Sequence, residues 1–307
     1  MDLFQLETFL TVAEERSFSR AAAKLHRTQP AVSQIVRKLE EEIGEVLLDR
    51  AARDGTLTAA GEVLREYAQK LLNLRGEATE ALGELKALQR GRLTIAANEY
   101  TCLYLLPMIH AYQKKAPKVR VTVQRALASK ISEELMLHSV ELGVVSFRPD
   151  DPQLRSVIVY RDPLVCAVAP RHPMARAKAV SIRELGGESF VAHNVPSPLR
   201  QKVEQAFRSH HTQLNMNVEL PSLEAIKRYV AMGTGVALVP SLAVQAEMEA
   251  GALVSVPVPE LQFERRLRLV HRRGANLSHA AVQFLQTVES HAAKHGDPYS
   301  YVAEGKR

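Results

Sequence analysis

Residues 17–40 read SFSRAAAKLHRTQPAVSQIVRKLE. Ser17 precedes an alanine-rich run, Ala21-Ala22-Ala23, which predicts a short capped helix with small side chains that allow close packing. That helix breaks at His26-Arg27. A second begins at Thr28-Gln29-Pro30: threonine can cap free amides, and proline is tolerated in a first turn because its missing N–H would have no intrahelical acceptor. Ala31, Ile35, Leu39 and Ile43 are spaced by four and predict a buried stripe, widened by Val32 and Val36. Ser33, Gln34, Arg37 and Lys38 fall largely off it. A short helix, a tight turn and a second helix with a polar first face predict a helix-turn-helix. Such a helix can place its first turns in the major groove of DNA.

Working outward, Leu3, Leu6, Phe9, Leu10 and Val12 recur at helical spacing and predict an amphipathic helix before the pair. After it, Arg50–Thr58 (RAARDGTLT) turns about Asp54-Gly55, the signature of a tight hairpin, and predicts a wing with Arg53 near its tip. The side-chain chemistry suits base reading. Gln29 and Gln34 offer an amide donor and acceptor to base edges, and Ser33 does so with less reach. Pro30 offers apolar surface to a thymine methyl. Arg27, Arg37 and Lys38 suit phosphates.

Charge is distributed unevenly. Residues 1–58 hold 8 Lys/Arg and 10 Asp/Glu, yet Arg16, Arg20, Lys24, Arg27, Arg37 and Lys38 follow one another without an acid before Glu40, so one surface can be basic. The whole chain of 307 residues carries +6, and residues 91–307 hold 27 bases against 19 acids. That excess favours an anionic small-molecule partner for the C-terminal part, on a weak argument.

From Ala60 to Leu88, the residues Ala60, Leu64, Tyr67, Leu71, Leu74, Ala78, Ala81, Leu85 and Leu88 alternate spacings of four and three. This heptad pattern predicts a linker helix about 43 Å long at ~1.5 Å per residue. A second copy of the chain is the simplest partner for its seam, and packing on the chain's own C-terminal part is the other solution.

Beyond a hinge at Gln89-Arg90-Gly91-Arg92, apolar runs and helical stretches alternate. Leu93–Ala97, Val119–Val123, Leu142–Val145, Leu164–Ala169, Phe190–Ala192, Asn217–Leu220, Val236–Pro240 and Arg268–Val270 read as strands. Helices are expected over 103–115, 129–137, 199–210, 222–232 and 277–292. The alternation predicts a mostly parallel sheet covered on both faces and two α/β lobes with a cleft between them. Asn98, Tyr100, Thr101, Ser129, Ser146, Phe147, Asn194 and Ser197 follow strands or precede helices and are candidate effector contacts; capping or turn formation explains each equally well. The last twelve residues lack periodicity and are expected to form a flexible tail.

Other function classes find little support. Cys102 and Cys166 form no CxxC, and the histidines have no HExxH spacing, so no metal site is expected. There is no GxSxG elbow and no glycine-rich phosphate loop, so neither an enzyme nor a cofactor is expected. The start MDLFQLETFL has no basic n-region, and no apolar stretch approaches the ~18–20 residues of a membrane span, so a cytoplasmic protein without membrane partners is expected. An exported solute-binding protein would have no use for residues 1–58. A DNA-organising protein without an effector is the alternative.

The chain resembles the LysR-type transcriptional regulators over about residues 2–292. The resemblance rests on Phe9, Phe18-Ser19-Arg20-Ala21-Ala22, Thr28-Gln29-Pro30-Ala31-Val32-Ser33, Leu39-Glu40, Gly44, Leu47, Arg50 and Leu57-Thr58-Ala59-Ala60-Gly61, then on Leu105-Leu106-Pro107, His172-Pro173-Met174, Gly233-Thr234-Gly235-Val236 and Gly251-Ala252-Leu253. It implies an α+β multidomain protein: a winged helix-turn-helix over 1–58, a dimerising linker helix over 59–90 and a two-lobed, periplasmic-binding-protein-like effector domain over 91–295, with 296–307 as tail. Lobe I would comprise about 91–161 plus 267–295, and lobe II about 162–266. The resemblance also implies double-stranded promoter DNA, a small effector, homodimers assembling into homotetramers, contact with RNA polymerase, and activation or repression in a bacterial cytoplasm. It places DNA contacts on Gln29, Pro30, Ser33 and Arg53. Gln34 stands where the family often has arginine, and Tyr100 where serine or threonine is common.

Overall fold

The computed structural model describes residues 1–49, 56–86, 91–261 and 265–304. The chain divides into two compact units, Met1–Leu88 with Met136–Ser139, and Gln89–Leu135 with Val140–Arg307.

In the first unit, α1 spans Leu3–Glu15, α2 Phe18–Lys24, α3 Gln29–Ile43 and α4 Ala59–Lys86. Asp2 caps α1 and Ser17 caps α2, each accepting a backbone N–H three residues on. Thr28 occupies the cap of α3 but makes no side-chain capping bond, a correction to the sequence reading. The buried stripe of α3 is also re-phased. Val32, Val36 and Leu39 are buried against Leu6, Phe9, Val12, Ala21 and Ala22, whereas Ala31 and Ile35 are half-buried and Ile43 is exposed. Spacing by four alone drifts around a helix of 3.6 residues per turn, and the mixed four-three set stays on one face.

Glu40 closes this face. Its Oε1 accepts the backbone N–H of Leu47 at 2.9 Å and of Leu48 at 3.3 Å, tying α3 to the strand that follows. Leu48 bridges Leu57 in antiparallel fashion, Asp49 N donates to Thr56 O at 2.8 Å, and Thr58 N donates to Leu47 O at 3.0 Å. These contacts form the base of a hairpin; its expected tip, with Arg53, lies outside the described residues, as do the last residues of the expected linker, 87–90. Thr58 then caps α4 through Oγ1, which accepts Gly61 N at 3.0 Å. Gly61 is required at its place: a Cβ there would stand 2.1 Å from Leu47 O.

The second unit runs β1 Arg92–Ala97, α5 Glu99–Lys115, β2 Arg120–Arg125, α6 Ile131–Met136, β3 Leu142–Val145, β4 Leu154–Arg161, β5 Leu164–Val168, α7 Ile182–Leu185, β6 Phe190–His193, α8 Pro198–Ser209, β7 Met216–Leu220, α9 Leu223–Ala231, β8 Ala237–Pro240, α10 Gln245–Glu249, β9 Val254–Pro257, β10 Arg266–Arg272, α11 His279–His295 and β11 Tyr299–Ala303. Six strands pair in the order β11-β4-β10-β3-β1-β2, three in the order β8-β5-β9, and β6 pairs with β7. The expected mostly parallel arrangement therefore holds only in part. β2, β1 and β3 are parallel, but β10 pairs antiparallel with β3 and β4, and β11 with β4. The chain returns from the three-stranded sheet as β10 and enters between two strands already present, which reverses the direction.

The expected flexible tail is corrected as well. β11 pairs Tyr299 with Tyr160, Val302 with Ile158 and Ala303 with Val157. The Tyr299 ring packs edge-on to Tyr160 at 5.0 Å and to His291 at 4.6 Å, and Glu304 receives Arg268 Nε at 3.2 Å and the Ser156 hydroxyl. A polar segment gains order here from a tyrosine and a carboxylate meeting partners far away in sequence. Three apolar cores fill the second unit. One centres on Tyr104, Met108, Tyr112, Leu267 and Phe284 under the six-stranded sheet, the second on Cys166, Phe190, Phe207 and Leu261, and the third on Val165, Val191, Ile226 and Val230.

Candidate functional site

The first candidate surface is the outward face of α3. Thr28, Gln29, Pro30, Gln34, Arg37 and Lys38 are exposed and Ser33 is half-buried. Burial of Val32, Val36 and Leu39 on the opposite side turns these residues outward together. The basic run of the sequence separates in space. Lys24 is drawn to Glu14 and Glu15, at 2.9 Å each, which raises its pKa through those hydrogen bonds. The Arg27 guanidinium lies 5.8 Å above the Phe4 ring. Arg37 and Lys38 stay on the open face of the helix.

The second candidate site is a cavity of about 420 Å³ in the second unit. It opens at the carboxyl ends of β1, β2, β3, β6 and β8, where open α/β sheets gather their ligands. Of the eight residues expected from sequence, Asn98, Tyr100, Ser146 and Ser197 line it. Thr101, Ser129, Phe147 and Asn194 are not in its wall. Thr101 is fully buried and structural: its Oγ1 accepts Asn98 N at 3.1 Å and donates to Val144 O at 3.2 Å, while Asn98 Oδ1 accepts Thr101 N at 2.9 Å. Ser129 and Asn194 are exposed, and the Asn194 backbone N–H donates to Leu220 O at 3.0 Å. Ser197 caps α8 through Arg200 N at 3.1 Å and faces the cavity as well.

The charged groups of the wall were not marked by spacing in the sequence. Glu99 Oε2 meets His193 Nε2 at 3.0 Å, and its Oε1 accepts Leu223 N at 2.8 Å. Val195 N donates to His193 Nδ1 at 3.2 Å, so the ring proton sits on Nε2 and points at Glu99. Arg200 is held by Glu204 Oε1 at 3.1 Å, Glu219 Oε1 at 2.5 Å and His193 O at 3.3 Å. Arg265 is 7% exposed and donates through one terminal nitrogen to Asp162. Asp162 also accepts Leu242 N at 3.0 Å, and Asp162 N donates to Arg265 O at 2.9 Å. Burial pushes the Asp162 carboxyl up, against the opposing pull of Arg265 and the backbone amides of Leu242 and Ser241. Burial, and then the Glu99 charge, push the Tyr100 phenol to about 12, while Arg265 works in the other direction. Tyr100 is therefore a neutral hydroxyl at any ordinary pH. Much of the remaining wall is apolar, with Val195, Leu199, Leu214, Met216, Ile226 and Leu238 among its residues.

This pairing of a helix-turn-helix with a ligand-type α/β unit has known counterparts. The model of the bacterial regulatory helix-turn-helix protein, lysR family, matches residues 3–62, and that of the LysR substrate binding domain matches residues 86–293. The chain belongs to the LysR family. A RuBisCO operon transcriptional regulator of Allochromatium vinosum is 32% identical over 295 residues, 96% of this chain and 97% of the relative. A probable RuBisCO transcriptional regulator of Synechocystis sp. is 30% identical over 302 residues, 96% of this chain and 88% of the relative. Among solved structures, full-length CbnR complexed with its target DNA aligns with TM-score 0.72 at 21% identity, covering 94% of this chain and 99% of that one. A full-length OxyR variant from Pseudomonas aeruginosa aligns with TM-score 0.71 at 22% identity, covering 100% and 99%. This LysR regulator is thus a DNA-binding transcription factor with an effector-binding domain, and not an enzyme. Among the described residues no helix is long and apolar enough to cross a membrane.

Proposed function

We propose that this LysR regulator reads a two-fold operator with the exposed face of α3. Gln29, Pro30, Ser33 and Gln34 would meet base edges, while Thr28, Arg37, Lys38 and the wing residue Arg53 would hold phosphates. The observation that carries this reading is the single outward face of α3, held rigidly by the buried Val32, Val36 and Leu39 beneath it. The Thr28 hydroxyl, spent on no capping bond, suits a phosphate.

Dimerisation would run along α4. Tyr67, Leu71 and Leu74 of the heptad seam are 58%, 41% and 50% exposed, an apolar stripe that a second copy would cover. Two dimers would form a tetramer in the cytoplasm and could contact RNA polymerase. Residues 1–58, 59–90 and 91–295 would act as reader, linker and sensor. Within the sensor, lobe I of about 91–161 plus 267–295 and lobe II of about 162–266 would close on an effector bound in the cavity, with Asn98, Tyr100, Ser146 and Ser197 at its wall. The names of the relatives point to genes of carbon fixation as targets, among them a RuBisCO operon.

The test is retention and sequencing of fragmented genomic DNA by the purified full-length protein. A discrete palindromic site beside a carbon-fixation operon is expected. Uniform retention of all fragments, lost at moderate salt, would overturn specific regulation in favour of an architectural role.

A further inference from the structure

The cavity itself restricts what can fill it. Its apolar wall suits an apolar body, and its size lies at the small end of ligand pockets. Three guanidiniums reach the wall, but their donors are unequally available. Arg200 is spent on two carboxylates and a carbonyl. Arg125 is exposed, where water screens it. Arg265 is buried: one terminal nitrogen is spent on Asp162, Nε is sealed from the cavity, and the other terminal nitrogen donates to no described residue. An orphaned N–H on a buried cation is costly, and a ligand oxygen would satisfy it. The neutral Tyr100 hydroxyl, in the same wall as Arg265, supplies a second donor. Against these stand the Glu99 carboxylate in the wall and Asp162 directly behind Arg265. The negative charges already present leave room for one added anionic group and oppose several.

Resting on the reading of this cavity as the effector site, we infer that the effector is a compact, apolar-bodied compound with a single carboxylate, which docks on the unspent terminal nitrogen of Arg265 in the wall it shares with Tyr100. Arg265 lies just before β10, and its partner Asp162 between β4 and β5, so the ligand oxygen would engage both segments that connect the two sheets. A carboxylate bound there changes the electrostatic balance of the buried Arg265–Asp162 pair, which links occupancy to the crossing segments. A polyanion such as a sugar bisphosphate would bring a second charge against Glu99 and find no buried donor for it.

The experiment is calorimetric titration of the full-length protein, without DNA, with benzoate and hexanoate, their neutral amides benzamide and hexanamide, and fructose 1,6-bisphosphate. At least one carboxylate is expected to bind once per chain, at least tenfold more tightly than its amide and than the bisphosphate. Arg265→Lys keeps a cation for Asp162 but deletes the free planar arm, so it should abolish the preference for carboxylate over amide. If that variant fails to fold, Tyr100→Phe should weaken the carboxylate severalfold and leave the amide unchanged. Tighter binding of the bisphosphate, equal binding of acid and amide, binding indifferent to both substitutions, or no binding of any probe would each overturn the inference. Operator retention by the same preparation reports separately on the regulator reading, so a wrong ligand class and a wrong function give different results.

Discussion

Replacing Gly61 by alanine sets two physical effects against each other. Glycine is a poor helix former, and alanine in its place should stabilise α4 by about 0.8–1.0 kcal/mol. The added Cβ, however, would stand 2.1 Å from Leu47 O and 3.0 Å from a Leu57 methyl. The carbonyl cannot yield freely, because it accepts Thr58 N at 3.0 Å and the Leu47 amide is held by Glu40 at 2.9 Å. Forced overpacking of this kind costs about 1–3 kcal/mol, and a backbone obstacle held at both ends belongs at the upper end of that range. The net expectation is a loss of about 1–2 kcal/mol in the first unit. Gly76, in the same helix, has nothing within 4 Å of its would-be Cβ, so Gly76→Ala should show only the propensity gain. Hydrogen exchange of peptides from residues 1–49 and 56–86 at increasing urea, in the full-length protein at fixed concentration, measures both variants. Equal stability of the two would refute the steric reasoning. Operator affinity should fall with Gly61→Ala and hold with Gly76→Ala, because only the first displaces the base of the hairpin.

Glu40→Ala should destabilise the same unit by ~1–3 kcal/mol by orphaning two buried amides, and Glu40→Gln by less because its amide oxygen still accepts; urea unfolding ranks the two. Arg37→Ala should weaken binding to all DNA alike and reduce the slope of log K against log salt by about 0.9, in filter-binding titrations over a range of salt. Burial pushes the Cys166 thiol to about 12 and raises Cys102 as well, so at pH 8 iodoacetamide should leave Cys166 untouched in the folded protein and modify Cys102 slowly, as peptide mass mapping would show. Burial would raise the Glu304 carboxyl, but the Ser156 hydroxyl and the Arg268 guanidinium outweigh it and hold the group below the usual carboxylate range. Its stabilisation of β11 is therefore present above the unfolded value of about 4.3 and fades as pH falls through the lower folded value. Protection of residues 299–303 should differ between wild type and Glu304→Gln at neutral pH and converge in acid.

The reading helix was legible because its signals are local. Ser17, the alanine run, Pro30 and the apolar spacing all act within a few residues of one another. The phase of the α3 stripe was harder, since Ala31 and Val32 differ by only 100° and the neighbours in α1 and α2 choose between them. In the second unit, β1, β2 and β3 announce themselves as apolar runs. β4, β9 and β11 escape, because LRSVIVYR and VSVP carry no alternation of their own and YSYVA needs Tyr160 and His291 to hold it. Half of the expected effector residues line the cavity, because polar residues after strands serve caps as readily as ligands; Thr101 is such a cap. Glu99, His193 and Arg265 escape for a different reason. They become a site only when strands from three regions of the chain meet, and no spacing encodes that.

The position of β10 has a consequence for how the protein is made. It lies in the middle of the six-stranded sheet, between β4 and β3, yet it is synthesised after the entire three-stranded sheet. Until residues 266–272 and 299–303 leave the ribosome, β3 presents one unpaired edge and β4 has no partner on either side, and both strands are largely buried in the finished protein. Such edges invite pairing with other chains. The segment that carries β5 to β9 is continuous and can close on its own strands meanwhile. A polypeptide interrupted just before residue 266 would therefore hold a formed three-stranded sheet beside an open edge of β3 and a wholly unpaired β4, and should enter aggregates that the completed chain avoids.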